Sequence, residues 1–213
     1  MLDKFNREMK RQSEGYYIPP SEKIIGVKSS CMFENYQKDI YDFAISKCEQ
    51  FRNSIDVGAN VGVMTLRMMN TFESVQSFEP MLDDYLKVNS KNNNIHPFGL
   101  GNKNQELTMQ LGILNSGMTK IVTSNKNNKD RIYNIEVKKL DSYGFINLDF
   151  IKIDVEGYEW EVILGGKETI ENNLPVLMIE LHKCYKHKQR AIDYLKSLNY
   201  KIKSFESDFV FWK

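Results

Sequence analysis

The stretch Ser54-Ile55-Asp56-Val57-Gly58-Ala59-Asn60-Val61-Gly62 decides the fold. A short apolar run that ends in glycine reads as a buried parallel strand followed by a tight turn. The apolar spacing of residues 63–69 then continues as a helix. Glycine at such a turn lets the backbone bend sharply and approach a ligand closely. A dinucleotide fingerprint would read G-x-G-x-x-G, but here Asn60 stands where the second glycine would fall. Asp56, just before the turn, disfavours a pyrophosphate and suits a cationic or hydroxylated ligand. A charge at a buried strand end also needs partners.

The same alternation extends on both sides. Residues 34–51 place Ile40, Phe43, Ala44, Cys48 and Phe51 at helical spacing. Residues 74–78 read as a strand, 81–92 as a helix and 96–100 as a short strand. Shorter strands are expected at 107–112, 119–123 and 135–140, with an exposed polar loop at 124–130. Residues 150–155 read as a strand, 158–164 as a helix ended by Gly165-Gly166, 175–181 as the most apolar strand and 185–198 as a helix. Residues 200–205 and 208–212 close the chain as an antiparallel hairpin. Strands alternating with helices imply an α/β fold, a parallel sheet covered by helices on both faces. In such sheets ligands bind beyond the carboxyl ends of the strands.

A chain of 213 residues has the length of one domain with modest additions. We expect an N-terminal arm over residues 1–33, where Pro19-Pro20 breaks any long helix, and a single domain over 34–213. With 41% hydrophobic residues the chain can bury a core. Lys plus Arg number 29 and Asp plus Glu 28, and this net charge of +1 argues against a nucleic-acid partner. Cys31, Cys48 and Cys184 are odd in number and widely spaced, which fits a reducing compartment. No apolar leader or membrane-spanning run is visible, so a cytoplasmic location is expected.

The strand ends carry the chemistry. Phe78-Glu79-Pro80 ends the second strand about 20 residues beyond Asp56, where an acid grips the ribose hydroxyls of an adenosine. The ordinary alternative is a helix-capping acid. Further on, Lys152, Asp154 and Glu156 share one side of a strand by its period of two. A lysine inside a central strand is costly unless paired, and Asp154 and Glu180 are its expected partners. Glu180 and His182 fall on one side of the next strand end. Charge at both central strand ends exceeds what core filling requires, so function is favoured over a plain loop histidine. The basic run 183–190 reads as a solvated helix start. Met64, Met68 and Met69 read as core, and Cys184 as inert.

These stretches together resemble the motif series of FkbM-type methyltransferases. The series is Ile55-Asp-Val-Gly-Ala-Asn-Val-Gly62, Phe78-Glu-Pro80, Phe150-Ile-Lys-Ile-Asp-Val-Glu-Gly-Tyr-Glu159 and Val176-Leu-Met-Ile-Glu-Leu-His182. Asn115-Ser-Gly117 resembles a loop of the same family. The resemblance implies a Rossmann-like class I methyltransferase with a seven-stranded, mostly parallel sheet of order 3-2-1-4-5-7-6. It implies S-adenosylmethionine as cofactor and methyl transfer to a hydroxyl, usually of a sugar or a secondary metabolite. By motif position Asp56, Gly58, Asn60 and Gly62 would surround the methionine part of the cofactor. Glu79 would hold the ribose, and Phe98 and Gly99 would lie beside the adenine. Gly99 stands where the family often has alanine. Ser116 and Glu156 would face the acceptor.

A sugar hydroxyl is a poor nucleophile, so a base must be in reach. His182, Asp154 and Glu180 are the candidates. Lys152 opposes a dication, so no metal is expected. The expected partners are a sugar or glycan acceptor and a glycosyltransferase, fused to the chain or acting with it. A same-fold enzyme acting on nitrogen or RNA would need a basic, aromatic-rich surface, and the net charge of +1 speaks against it. A nicotinamide oxidoreductase would carry a second glycine where this chain has Asn60. A binding module that has lost its chemistry would not need Asp154, Glu180 and His182 together.

Overall fold

The computed structural model describes residues 10–11, 17–18, 35–92, 94–110, 120–121, 132–183 and 186–213. In chain order the strands and helices begin with β1 (Lys10–Arg11), β2 (Tyr17–Ile18), α1 (Lys38–Ile45), β3 (Asn53–Val57), α2 (Val63–Met69), β4 (Ser74–Phe78) and α3 (Asp83–Ser90). Next come β5 (Ile95–His96), β6 (Gly99–Leu100), β7 (Gln105–Gln110), β8 (Lys120–Ile121) and β9 (Ile132–Lys138). The chain continues through a short 3-10 turn (Leu140–Tyr143), β10 (Leu148–Ile153), α4 (Glu159–Gly165) and α5 (Lys167–Asn173). It ends with β11 (Val176–Glu180), α6 (Lys188–Ser197), β12 (Lys201–Phe205) and β13 (Asp208–Trp212).

Seven strands form the main sheet in the order β12-β13-β11-β10-β3-β4-β5. Numbered along this sheet alone, that is the expected 3-2-1-4-5-7-6 read from the other edge. The pairs β11–β10, β10–β3, β3–β4 and β4–β5 are parallel, and β13 is antiparallel to both β11 and β12. The central strand β10 is buried on both faces. Phe150 joins Tyr41, Met64, Met68, Phe72 and Met178 on one side. Ile151 and Ile153 join Ile55, Val57, Ile163 and Leu177 on the other. A strand covered on both faces needs apolar residues on each rather than strict alternation, which is why Phe150 and Ile151 are both apolar at successive positions and the charge that follows them, Lys152, is paired. Met64 and Met68 are core, whereas Met69 is 38% exposed and is not.

Three local differences from the sequence reading have physical causes. The expected strand at 96–100 is divided between two sheets. Pro97 has no N–H to continue a ladder, so β5 ends at His96 on the main sheet and β6 restarts at Gly99. β6 opens a second sheet of order β6-β9-β7-β8, which gathers the short strands expected between 107 and 140. The helix expected at 34–51 is regular only over Lys38–Ile45. After Gly165-Gly166 the chain enters α5, which the sequence reading left out. Asp141 caps it, accepting from Thr169 N at 2.8 Å and Thr169 Oγ1 at 2.9 Å.

Candidate active site

The carboxyl ends of β3, β4, β10 and β11 lie side by side, and their loops touch directly. Asp154 N donates to Val57 O at 3.0 Å, and Gly58 N donates to Phe78 O at 3.0 Å. Gly58 has φ +81°, and a Cβ placed on it would meet Asp154 O at 1.9 Å. The glycine at this position is therefore required by the neighbouring backbone of the β10 loop. A bulkier residue here would disturb the fold itself, whatever the turn binds.

The turn after β3 winds through left-handed backbone at Gly58, Asn60 (φ +52°) and Gly62 (φ +96°). Glu79 holds it from the β4 side, where Asn60 N donates to its Oε2 at 2.9 Å. The other oxygen of Glu79 accepts from Met81 N at 2.8 Å and Leu82 N at 3.0 Å, at the entry to α3. The capping reading of Glu79 is thus part of its work. Burial raises the pKa of this carboxyl against those three N–H donors. Asp56 lies beneath the turn and is fully enclosed. Thr65 Oγ1 donates to its Oδ2 at 2.6 Å, while its Oδ1 has no hydrogen-bond partner among the described residues. Asp56 therefore supports the turn from below and does not face the open crevice.

Lys152 Nζ stands 3.1 Å from Asp154 Oδ2 and 3.9 Å from Asp56 Oδ1. Its partners among the described residues are these two aspartates, and the expected pairing with Glu180 is not formed. The reason is register: β3 runs beside β10 and places Asp56 opposite Lys152. Burial would raise the Asp154 carboxyl, but the Lys152 ammonium and a hydrogen bond with Glu180 hold it below its ordinary value. Glu180 moves the other way, pushed up by burial and by the charge of Asp154. The pair thus behaves as one proton shared between two carboxyls, with the proton on Glu180.

Glu156 follows on left-handed backbone (φ +54°), and burial with the charges of Asp154 and Glu159 raises it to about 8. Glu159 shapes this loop, its Oε1 accepting from Gly157 N at 2.9 Å and Val155 N at 3.3 Å. Asp154, Glu156 and Glu180 each offer an oxygen within 4.8 Å of the others, so a cation could be held there. His182 Nε2 lies 3.5 Å from Glu180 Oε1, with half of its side chain exposed. The three candidate bases, His182, Asp154 and Glu180, are thus brought together, as the strand-end rule leads one to expect.

Phe98 and Gly99 lie at the far side of the β4 end. Phe98 sits in an aromatic cluster with Phe78, His96 and Tyr143, and Lys138 Nζ stands 4.2 Å from its ring centroid. Gly99 opens β6 beside Val137. Ser116 and its loop lie outside the described residues.

Three site residues carry no sequence motif. Gln37 Nε2 donates to Asp208 Oδ1 at 3.0 Å, and Asp208 stands opposite Glu180 in the β11–β13 ladder. Tyr36, adjacent to Gln37, is within electrostatic reach of Asp154, Lys152, Glu180 and Asp208. Burial and then the Asp154 charge push Asp208 up to about 6. These residues approach from α1 and the final hairpin, so only the folded topology brings them to the strand ends.

This donor set fits a sulfonium cofactor with a ribose. The turn and the strand ends present carboxyl groups, Glu79 at one end and Asp154 and Glu156 at the other. Such a set suits a cation and a diol and disfavours a pyrophosphate. Asn60 and Glu79 would hold the nucleoside side, and the β10 loop would face the transferred group.

Residues 56–202 match the family described as the methyltransferase FkbM domain. No curated protein matches the chain. Among solved structures, a methyltransferase FkbM from Methylobacillus flagellatus KT superposes with a TM-score of 0.49 at 19% identity, over 76% of this chain and 44% of its own. The chain thus spans less than half the length of that protein. A precorrin-6y C5,15-methyltransferase from Geobacter metallireducens GS-15 gives a TM-score of 0.46 at 12% identity, over 82% and 89%. A human methyltransferase 10 domain containing protein gives 0.42 at 14%, over 90% and 88%. With the family match running from the first strand-end aspartate to the last hairpin, the chain belongs to the FkbM methyltransferase family.

Proposed function

We propose that the chain transfers a methyl group to a hydroxyl of a sugar, in a glycan or glycoconjugate, with His182 taking the hydroxyl proton. The observation that carries this reading is the grouping of His182, Glu180 and Asp154 at adjacent strand ends, with His182 Nε2 3.5 Å from Glu180 Oε1. When bound, S-adenosylmethionine supplies an electrophilic methyl on a cationic sulfur. The chain must then align an oxygen with that methyl and receive its proton. Glu180, already protonated and bonded to Asp154, is a poor base in this state. Asp154, held ionised by Lys152, is too weak a base for a hydroxyl. His182 is half exposed and positioned by the Glu180 oxygen, so it is the group able to accept. Glu156 and Ser116 would contact the acceptor, and Glu79 with Asn60 the nucleoside. Phe98 and Gly99 would flank the adenine.

A glycosyltransferase acting before or with this domain is the partner that such an acceptor calls for, and the cytoplasm is the compartment we propose. No helix among the described residues is long and apolar enough to cross a membrane. A second mechanistic reading rests on Asp154, Glu156 and Glu180, whose oxygens lie within 4.8 Å. In that reading a divalent ion lowers the pKa of the acceptor hydroxyl in place of the histidine.

Deoxyhexose and hexose glycosides incubated with labelled S-adenosylmethionine test the proposal, read as the mass gain of one methyl. The expected result is methylation of at least one glycoside, with turnover of His182→Ala lowered by ~100-fold or more. Chelator should leave the wild type unchanged. Loss of turnover with chelator, restored by magnesium, selects the metal reading. Methylation of amine or RNA acceptors and of no glycoside removes the sugar assignment.

A further inference from the structure

Asn89, on α3, ties together two stretches of backbone far apart in sequence. Its Nδ2 donates to Tyr17 O at 2.8 Å and to Val61 O at 2.7 Å. Its Oδ1 accepts from Tyr17 N at 2.7 Å. One side-chain amide thus makes with Tyr17 the reciprocal pair that a neighbouring strand would make, and spends its remaining donor on Val61. Val61 lies inside the turn that runs from Gly58 to Gly62. That turn is therefore gripped twice, by Glu79 at Asn60 N and by Asn89 at Val61 O. The Tyr17 side chain packs on the same side, against the cluster of Val61, Met81, Leu82, Tyr85, Ile135 and Val137.

The two grips of Asn89 cannot be made independently. Rotating the amide away from Tyr17 also withdraws the donor from Val61, because both carbonyls share one planar NH2 group. We propose that Asn89 is a positioning residue for the cofactor turn, and that through it the docking of the β1–β2 strand pair is coupled to S-adenosylmethionine binding. The coupling is reciprocal. Whatever tightens the cofactor through the docked Tyr17 must be returned as tighter docking when the cofactor binds. This inference concerns the methyl donor alone and does not depend on the acceptor.

Two variants in the full chain separate the contributions. Asn89→Asp keeps the acceptor for Tyr17 N but loses both donors and sets a carboxylate against two carbonyls. Tyr17→Ala leaves the backbone bonds possible and removes only the packing that docks them. By calorimetry with S-adenosylmethionine, Asn89→Asp should weaken binding about tenfold, as expected for the loss of a partly buried hydrogen bond. Tyr17→Ala should weaken it severalfold. The double variant should bind no worse than Asn89→Asp alone, since the route from strand pair to turn is already cut. Amide exchange at Tyr17 should slow on adding cofactor to the wild type and to no variant lacking the Asn89 amide. Wild-type affinity in Asn89→Asp overturns the positioning role. A Tyr17 amide whose exchange ignores the cofactor in the wild type overturns the coupling, even if Asn89→Asp fails to fold.

Discussion

The loop after β10 depends on one carboxyl group. Glu159 is almost wholly buried, and its Oε1 accepts from the N–H groups of Gly157 and Val155. Without it, two backbone donors of a loop with consecutive left-handed residues would lose their acceptor. Burial outweighs those donors and raises its pKa from 4.5 to about 7. An acid whose folded pKa lies above its unfolded value binds its proton more tightly when folded. Its contribution to stability is therefore complete below about 4.5 and is lost as the pH rises towards about 7. Glu159→Gln keeps an oxygen for Gly157 N and removes the ionisation. Thermal unfolding should show this variant gaining on the wild type between pH 5 and pH 8. An equal difference in melting temperature at both pH values would falsify the assignment of the cost to ionisation.

At the scale of elements, the central strands β3 and β10 are held in register by charge as well as by apolar packing. Lys152 lies between Asp154 and Asp56 in the middle of the sheet. Removing one partner of a buried ion pair leaves an uncompensated charge, at a cost of roughly 3–5 kcal/mol. Lys152→Met should therefore lower the melting temperature by on the order of 10 °C for a chain of this size. Adding Asp154→Asn to it should recover part of the loss, because the stranded charge disappears; additive losses in the cycle would show that the pair is not the cause. The identity of these elements was legible where local signals agreed. The helix Val63–Met69 and the strand Ser74–Phe78 were read at the boundaries they have, since glycine, asparagine and proline punctuate both sides. The second sheet was not legible. Its strands pair across long separations, such as Gly99 with Val137, and no local pattern states which sheet a short strand joins. Helix α5 was missed because a glycine pair that ends one helix can equally serve as the cap of the next, as Gly166 does.

For the molecule as a whole, the site is assembled from both ends of the chain. That Asp154, Glu180 and His182 lie together could be read from sequence, because the strand-end rule of parallel sheets names their places. Gln37, Asp208 and Asn89 could not, since each acts through a contact between elements that no motif records. The turn of β3 is braced by β4, α3, the strand pair β1–β2 and the β10 loop, so cofactor binding should be felt by the entire fold rather than by one lobe. A ligand that binds only the folded state stabilises it by about 2.7 kcal/mol at a hundred times its dissociation constant. For a chain of this length that corresponds to a rise in melting temperature of roughly 5–10 °C. Tryptophan fluorescence, with Trp160 on α4 and Trp212 on β13, and far-ultraviolet circular dichroism should both report it as one transition. S-adenosylhomocysteine should give a similar rise and a dinucleotide none. Separate transitions in the two signals, with only one of them moved by S-adenosylmethionine, would show instead that the cofactor stabilises its own end of the sheet alone.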